Sequence, residues 1–222
     1  MHFISRIPLA WLQLTREKQR MFIALAGIAF ANVLIFLQLG MLNALYDGAS
    51  QAHRNLEADL IIVDSKFQTR YFPQSFPRER LQQVLSYENV QSVRPLYIDN
   101  ASWRNQKTGF TRDILVWGID PDNSAFTFPE ININLDKLKL LDRILFDRAS
   151  RPEYGSIPDY LKQAPDVKVE VNNYSLLVIG LFELGASFGA DGNIVMGDST
   201  FFKIFPYRQA SEIDVGLVTL NQ

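Results

Sequence analysis

The stretch that decides the fold is residues 21–46, MFIALAGIAFANVLIFLQLGMLNALY, which contains no charged side chain. A hydrocarbon core about 30 Å thick requires about 20 apolar residues in helical conformation. This stretch is long enough, and Gly27, Asn32 and Gln38 interrupt it too rarely to prevent insertion. The sequence therefore predicts a transmembrane helix.

A buried core helix and a cleaved signal peptide are the two other interpretations of this stretch. A buried core helix is usually shorter and rarely uncharged on every side. A cleaved signal peptide requires a short apolar region followed by small residues, and Gly48, Ala49 and Ser50 are candidates. The basic leader is long and the apolar region exceeds the usual length, which favours a permanent anchor over cleavage.

The flanking charges predict the orientation. A single acid, Glu17, stands among the basic residues that precede the apolar stretch, which are Arg6, Arg16, Lys18 and Arg20. Acidic residues follow it: Asp47, Glu57, Asp59 and Asp64. The positive-inside rule then leaves the N-terminus in the cytoplasm and exports the rest of the chain. We expect a protein of the inner (plasma) membrane with residues 59–222 in the periplasm.

Three segments follow from this pattern. Residues 1–20, with Trp11 and a basic cluster, predict a cytoplasmic segment lying at the membrane interface, the alternative being an unstructured tail. Apolar residues continue at three- and four-residue steps beyond residue 46 without a proline, so residues 21–58 are predicted as one helix with a periplasmic extension. Gly48 is its one weak point and the candidate hinge of this stalk.

Residues 59–222 predict an α+β periplasmic domain, because short β-like stretches alternate with helical ones and no repeat occurs. Strands are predicted over residues 58–63, 90–98, 101–105, 110–119, 144–146, 167–171, 174–184 and 213–220. Helices are predicted from Pro77 onward, over 135–141 and over 199–204. Turns are predicted at 106–109 and at Asn172 and Asn173.

Composition narrows the classes of function. The chain has 222 residues, of which 47% are hydrophobic and 21% charged, so one domain of ordinary size fits beside the membrane helix. The net charge of −2 argues against a nucleic-acid partner. The chain has no cysteine, which excludes disulfides, thiolate ligands and thiol nucleophiles.

Motifs for catalysis or cofactor binding are not found. The glycine-rich residues 185–197 lack the Gly-Lys-Ser/Thr ending of a phosphate-binding loop and predict an exposed loop instead. His2 and His53 are too far apart to share a metal. Asp147, Asp159 and Asp191 stand singly among turn residues, where solvated or turn-capping roles are expected. We therefore predict no catalytic, cofactor-binding or metal residues, and a protein that is not an enzyme.

Several longer stretches resemble a known family. They are PLAWLQL (8–14), ADLIIVDS (58–65), VRPLY (93–97), WGIDPDNSAF (117–126), ILFDRASRPEYG (144–155) and GASFGADGNIVMGDSTFFKIFP (185–206). In this order they resemble the N-terminal half of a DevC-type permease, a cyanobacterial branch of the MacB-like ABC exporters. The resemblance covers essentially the whole chain, and the last stretch is its most specific part.

The resemblance implies a first membrane helix followed by a MacB-like periplasmic core domain. It also implies partners: a second permease subunit in a homodimer, a cytoplasmic ABC ATPase on a separate chain, and a periplasmic adaptor (membrane fusion) protein leading to an outer-membrane channel. Heterocyst-forming relatives export glycolipid. Such permeases continue with three more membrane helices, so we expect a truncated or split permease that transmits ATP-driven motion. The alternative is a single-span anchored domain that binds a partner outside the cytoplasm.

The candidate adaptor interface lies in the glycine-rich segment. Phe188 stands among glycines with only Asp191 charged nearby, and an aromatic side chain in such surroundings needs either the domain core or a partner. Loops on a rigid scaffold disproportionately carry binding. Phe188, Gly189 and Asp191 are therefore the predicted adaptor contacts, with burial of Phe188 in the core as the alternative.

Overall fold

The computed structural model describes residues 16–69, 71, 74–187 and 189–221. They belong to two compact units, Met1–Asp47 and Gly48–Gln222. One long helix is followed by a mixed sheet with short helices. The predicted α+β class is confirmed, and residues 1–15 of the predicted interfacial segment lie outside the described residues.

Helix α1 runs from Lys18 to Arg54. It continues past residue 46 as predicted but ends at Arg54, short of residue 58. Just after this end, the N–H of Leu56 donates to the carbonyl oxygen of His53 (3.2 Å). Its portion Lys18–Gly48 is long and apolar enough to cross a membrane, by length and composition, and none of its most apolar window is buried. The portion Lys18–Gly48 is therefore not a buried core helix within the described residues.

Eight strands form one sheet. Their bounds are β1 Leu60–Ile62, β3 Val90–Arg104, β4 Thr111–Ile119, β5 Arg143–Asp147, β6 Val167–Val171, β7 Tyr174–Phe182, β8 Asn193–Gly197 and β10 Val215–Leu220. Their order in the sheet is β1-β10-β3-β4-β8-β5-β7-β6. The last two residues of β3, Trp103 and Arg104, also pair with Val171 and Glu170 of β6. Six strands, from β3 through β4, β8, β5 and β7 to β6, thus close on themselves.

The remaining elements are short. Strands β2 (Phe76–Pro77) and β9 (Glu212–Ile213) form a separate antiparallel pair. The helices are α2 Glu79–Leu85, α3 Pro129–Asn132, α4 Leu135–Leu138, α5 Ile157–Leu161 and α6 Asp198–Ile204, with a 3₁₀ turn at Pro152–Tyr154. Pro129 begins α3, where its missing N–H costs no intrahelical bond.

Two apolar clusters hold the domain, one on each face of the closed strands. Alternate residues of β4 divide between them, because successive side chains of a strand point to opposite faces. Ile114 and Val116 join a cluster that includes side chains from all six closed strands. Leu115 and Trp117 join a second cluster, which includes Leu56 from the residues that follow α1.

Three sequence predictions are wrong in detail. Residues 90–104 form one strand, β3, instead of the two predicted. The predicted strand 213–220 is divided at Asp214, whose side chain is fully buried. Residues 193–197 of the predicted exposed loop are the buried central strand β8. The turn between β6 and β7 is confirmed: Asn172 and Asn173 have φ of 48° and 65°, as a two-residue hairpin turn requires.

Candidate functional site

The candidate site is the β7–β8 loop, residues 183–192, which carries the predicted adaptor contacts. Phe188 lies outside the described residues, whereas Gly189 and Asp191 are described. The loop leaves the sheet after Phe182 and re-enters it at Asn193. Its two ends are therefore fixed in one sheet, on either side of β5.

Asp147, the last residue of β5, fixes both ends of this loop. One carboxylate oxygen accepts from the N–H groups of Ala149 (3.0 Å) and Leu184 (3.1 Å). The other accepts from the N–H of Gly185 and the Nδ2 of Asn193, both at 2.8 Å. The side chain is fully buried, so of the two predicted roles the solvated one is wrong. The turn-capping role is confirmed by the bond from the N–H of Ala149. Bonds to a charged group contribute about 1.5–3 kcal/mol each, and this carboxylate accepts four.

Asn193 extends the same network into the apolar cluster around Trp117. Its Nδ2 also donates to the carbonyl oxygen of Gly185 (3.0 Å), and its Oδ1 accepts from the Nε1 of Trp117 (3.3 Å). Gly185 has a φ of +92°, a conformation that glycine adopts without steric cost. The loop therefore begins in a defined conformation.

Asp191 is held by two arginines. Its Oδ2 accepts from Nε (3.0 Å) and Nη2 (2.6 Å) of Arg112 on β4, and its Oδ1 lies 2.6 Å from the Nε of Arg151. The hydrogen bond to Asp191 raises the pKa of Arg112. Arg112 also lies 3.4 Å from a carboxylate oxygen of Glu153. Asp191 is thus a structural link between the loop, β4 and the segment after β5.

Asp159, another of the carboxylates singled out in the sequence, makes an exposed ion pair with Lys162 at 2.8 Å.

Gly189 is required for a close approach to an aromatic ring. A Cβ atom at this position would collide with the ring of Tyr71. The hydroxyl of Tyr71 lies 2.7 Å from the Oγ of Ser187, and its carbonyl oxygen accepts from the Nδ2 of Asn100 (2.9 Å). The middle of the loop is therefore held against the residues that follow β1.

The candidate hinge, Gly48, lies inside α1 and begins the second compact unit. The helix is continuous there. Ala52, one turn further on, is buried at 2% exposure within the second apolar cluster. Gly48 thus immediately precedes the residues by which α1 joins that cluster.

Sequence reasoning missed a buried ion pair. Asp214 accepts from the Nη2 of Arg208 (2.6 Å), the N–H of Ile98 (2.7 Å) and the Oγ of Ser75 (2.9 Å). Arg208 also reaches Asp99 at 3.0 Å. Burial raises the pKa of Asp214, and Arg208 opposes this effect. The one signal in the sequence is an acidic residue within the apolar stretch 213–220.

The described residues contain no group of three or more histidine or acidic side chains placed to hold a metal. The arginines and carboxylates around the loop pair with one another and hold it in shape. The arrangement presents a short backbone segment on a rigid support, which suits binding to another molecule.

Comparison with known proteins gives structural neighbours only. No protein-family model and no curated protein match this sequence. The extracellular domain of the noncanonic ABC-type transporter YknZ from Gram-positive bacteria is similar over 68% of this chain and 81% of its own, with 16% identity and a TM-score of 0.45. The periplasmic region of MacB from Actinobacillus actinomycetemcomitans is similar over 73% of each chain, with 15% identity and a TM-score of 0.46. A likeness of this size carries no conclusion about the function of this chain.

Proposed function

We propose that this chain is a permease subunit of an ABC-type exporter of the MacB-like, DevC-type family. In this role it has no active site of its own and transmits ATP-driven motion to a periplasmic domain. The observation that carries the proposal is helix α1, which continues from an uncharged stretch of membrane-spanning length into the buried cluster of the domain.

The end of α1 is tied to the domain by packing and by backbone hydrogen bonds. Ala52 and Leu56 are buried at 2% and 9% exposure. The carbonyl oxygen of Asn55 accepts from the N–H of Thr127 (2.9 Å), and the N–H of Glu57 donates to Ala125 (3.0 Å). Interiors are close-packed and transmit strain, so a displacement of this helix end reaches the sheet. Gly48 is the hinge position in this proposal.

The partners follow from the same role. The basic leader and the acidic residues after α1 support a cytoplasmic N-terminus and a periplasmic location for residues 59–222. Two copies of the chain form a dimer, and a cytoplasmic ABC ATPase on a separate chain drives them. The periplasmic adaptor contacts Phe188, Gly189 and Asp191. The rigid attachment of the loop at Asp147 and at the Arg112 pair supports this placement.

A second candidate function is a single-span anchored domain that binds a partner outside the cytoplasm. The apolar helical unit and the sheet unit of this chain favour it, because they are the two parts that such an anchored domain requires. It shares the location and the loop with the first proposal. It differs in having no ATPase partner.

Purification of the tagged full chain from its native membranes tests the two candidates. The exporter proposal predicts that an ATPase with a phosphate-binding loop co-purifies in mild detergent and hydrolyses ATP. Recovery of the chain from the membrane without any ATPase, after chemical crosslinking as well as without it, would support the single-span candidate and contradict the first.

A further inference from the structure

The six closed strands leave an opening where β6 returns to β3. Only two residues of each strand pair there. Residues 167–169 of β6 pair with β7 alone among the described strands. Beyond the paired residues the strands separate. A cleft of about 490 Å³ lies there between β6 and the β3–β4 turn, residues 105–110.

The backbone of Lys168 faces this cleft. The two-residue turn between β6 and β7 makes Val171 and Tyr174 a hydrogen-bonded pair. Along an antiparallel pair of strands, hydrogen-bonded residue pairs alternate with pairs whose N–H and C=O groups point away from each other. By this alternation the groups of Lys168 and Leu177 point away from each other. The N–H of Leu177 indeed donates to the carbonyl oxygen of Asp142 (2.7 Å) on the other side. Lys168 therefore presents a strand edge that no strand among the described residues pairs with.

The cleft carries an excess of positive charge. Its charged lining consists of Arg104, Lys168 and Glu170. Arg104 lies 3.5 Å from Glu170. Lys168 is exposed and makes no ion pair within residues 16–69, 71, 74–187 and 189–221. Two cations thus face one carboxylate, and the lining is complementary to an added carboxylate.

The opposite wall is a rigid turn that exposes an aromatic ring. The Oδ1 of Asn105 accepts from the N–H of Lys107 (2.9 Å), and its Nδ2 donates to the carbonyl oxygen of Glu153 (2.7 Å). The N–H of Asn105 closes the turn by donating to the carbonyl oxygen of Phe110 (2.9 Å). Phe110 is 78% exposed on this support. The backbone of this turn is already fixed, so binding at Phe110 orders the side chain alone, and aromatic side chains are enriched at interfaces.

A second cleft, of about 510 Å³, lies on the other side of the same turn. Its charged side chains are Arg112 and Glu153. The rest of its lining includes Trp103, Thr108, Phe110, Thr111 and Pro152. These two pair with each other, and Arg112 is also held by Asp191. The charges are compensated, so the cleft suits an apolar side chain. Through Arg112 this surface adjoins the candidate adaptor loop.

We propose that the β3–β4 turn and the edge of β6 bind an extended segment of a partner protein that carries a carboxylate and an apolar side chain. The carboxylate lies against Lys168 and Arg104, and the apolar side chain packs beside Phe110. The backbone of the segment pairs with Lys168 as an added strand. This inference rests on the proposed function, since it identifies the chemistry of a partner that reaches the periplasmic domain.

In-cell photocrosslinking tests the surface in the full chain. A benzoylphenylalanine replaces Phe110, and the crosslinked protein is identified by mass spectrometry. The matched control replaces Tyr87, which is 69% exposed and follows α2. We expect one partner to crosslink from position 110 and not from position 87. Lys168→Glu should lower the yield at least tenfold, whereas Arg80→Glu, on α2, should leave it unchanged.

The decisive step is a charge exchange. Replacing the acidic residue of the crosslinked segment by Lys should restore the yield in the Lys168→Glu variant. A yield that Lys168→Glu does not change, a crosslink only to a second copy of this chain, or no crosslink while the ATPase still co-purifies, overturns the inference and leaves the proposed function intact. Crosslinking with charge rescue but without a co-purifying ATPase supports the inference and contradicts the exporter.

Discussion

At the scale of single residues, Tyr97 is fully buried, and its hydroxyl has no hydrogen-bond partner in the described part of the chain. Its ring packs against those of Phe201 and Phe202, with centroids 5.6 and 4.9 Å away. Burial of the hydroxyl raises the pKa of Tyr97. A buried polar group without a partner costs about 1–3 kcal/mol, so Tyr97 lowers the stability of this cluster.

We predict that Tyr97→Phe raises the free energy of unfolding of the full chain by about 1–3 kcal/mol. Denaturant titration of the purified protein in detergent measures the change. Tyr154→Phe is the matched control, because the hydroxyl of Tyr154 donates to the carbonyl oxygen of Asp113 (2.5 Å). That variant should be destabilised by about 1 kcal/mol. A loss of stability in both variants would contradict the prediction.

The buried pair of Asp214 and Arg208 belongs to the same scale. Asp214→Ala leaves the arginine, whose side chain is 9% exposed, without its closest carboxylate. Removal of one partner of a buried pair costs about 3–5 kcal/mol. Asp159→Ala breaks an exposed, solvent-screened pair and should cost much less. Thermal unfolding of the two variants compares the costs, and equal values would show that the buried pair does not stabilise the domain.

At the scale of elements, α1 carries the prediction for the hinge. Alanine at Gly48 should favour the helix by about 1 kcal/mol, and proline should disfavour it by about 3 kcal/mol. We expect Gly48→Pro to uncouple export from ATP hydrolysis in the assembled exporter, while Gly48→Ala leaves coupling intact. Export assays beside ATPase rates measure this, with limited proteolysis to check that the domain is folded. Normal export by the proline variant would show that motion does not pass through α1.

The elements also show how far sequence patterns reach. Apolar stretches predicted β4, β5, β6 and β7. Strand β6 is buried at alternate residues, whereas β4 and β5 are buried on both faces over most of their length. The pattern divided β3 at Asp99 and Asn100, because these two residues are polar. In the fold, Asp99 binds Arg208 and Asn100 binds the backbone of Tyr71, so both polar groups are satisfied within a strand. Contacts between distant parts of the chain decided this, and the local pattern does not contain them.

The candidate loop shows the same limit. Its glycines predicted a loop over residues 185–197, and this held only as far as residue 192. Asp191 was identified as the one charge near Phe188, but its two arginines are distant in sequence. Gly189 is predicted as an adaptor contact from its place beside Phe188, and the structure places it against the ring of Tyr71. Composition identified the segment, and the fold supplied the reasons for its residues.

At the scale of the whole molecule, the prediction concerns topology. A reporter that is active only in the periplasm should be active when fused after residue 222, because the basic leader keeps the N-terminus in the cytoplasm. The double variant Ala29→Arg and Leu34→Arg should abolish insertion, since each central arginine costs roughly 2.5–3.5 kcal/mol. Membrane fractionation measures insertion. Activity of a cytoplasm-only reporter at residue 222 would reverse the orientation.

The pairing of β1 with β10 has a mechanical consequence. The chain enters the sheet at Leu60, opposite Val218, so it enters and leaves the sheet at neighbouring positions. Tension that separates residues 58 and 221 acts across these strands and breaks their three residue pairs one after another. Peeling of this kind requires little force, and the closed ring of six strands lies outside its path. Strand β1 would separate from β10 first under load and pair with it again when the load is released.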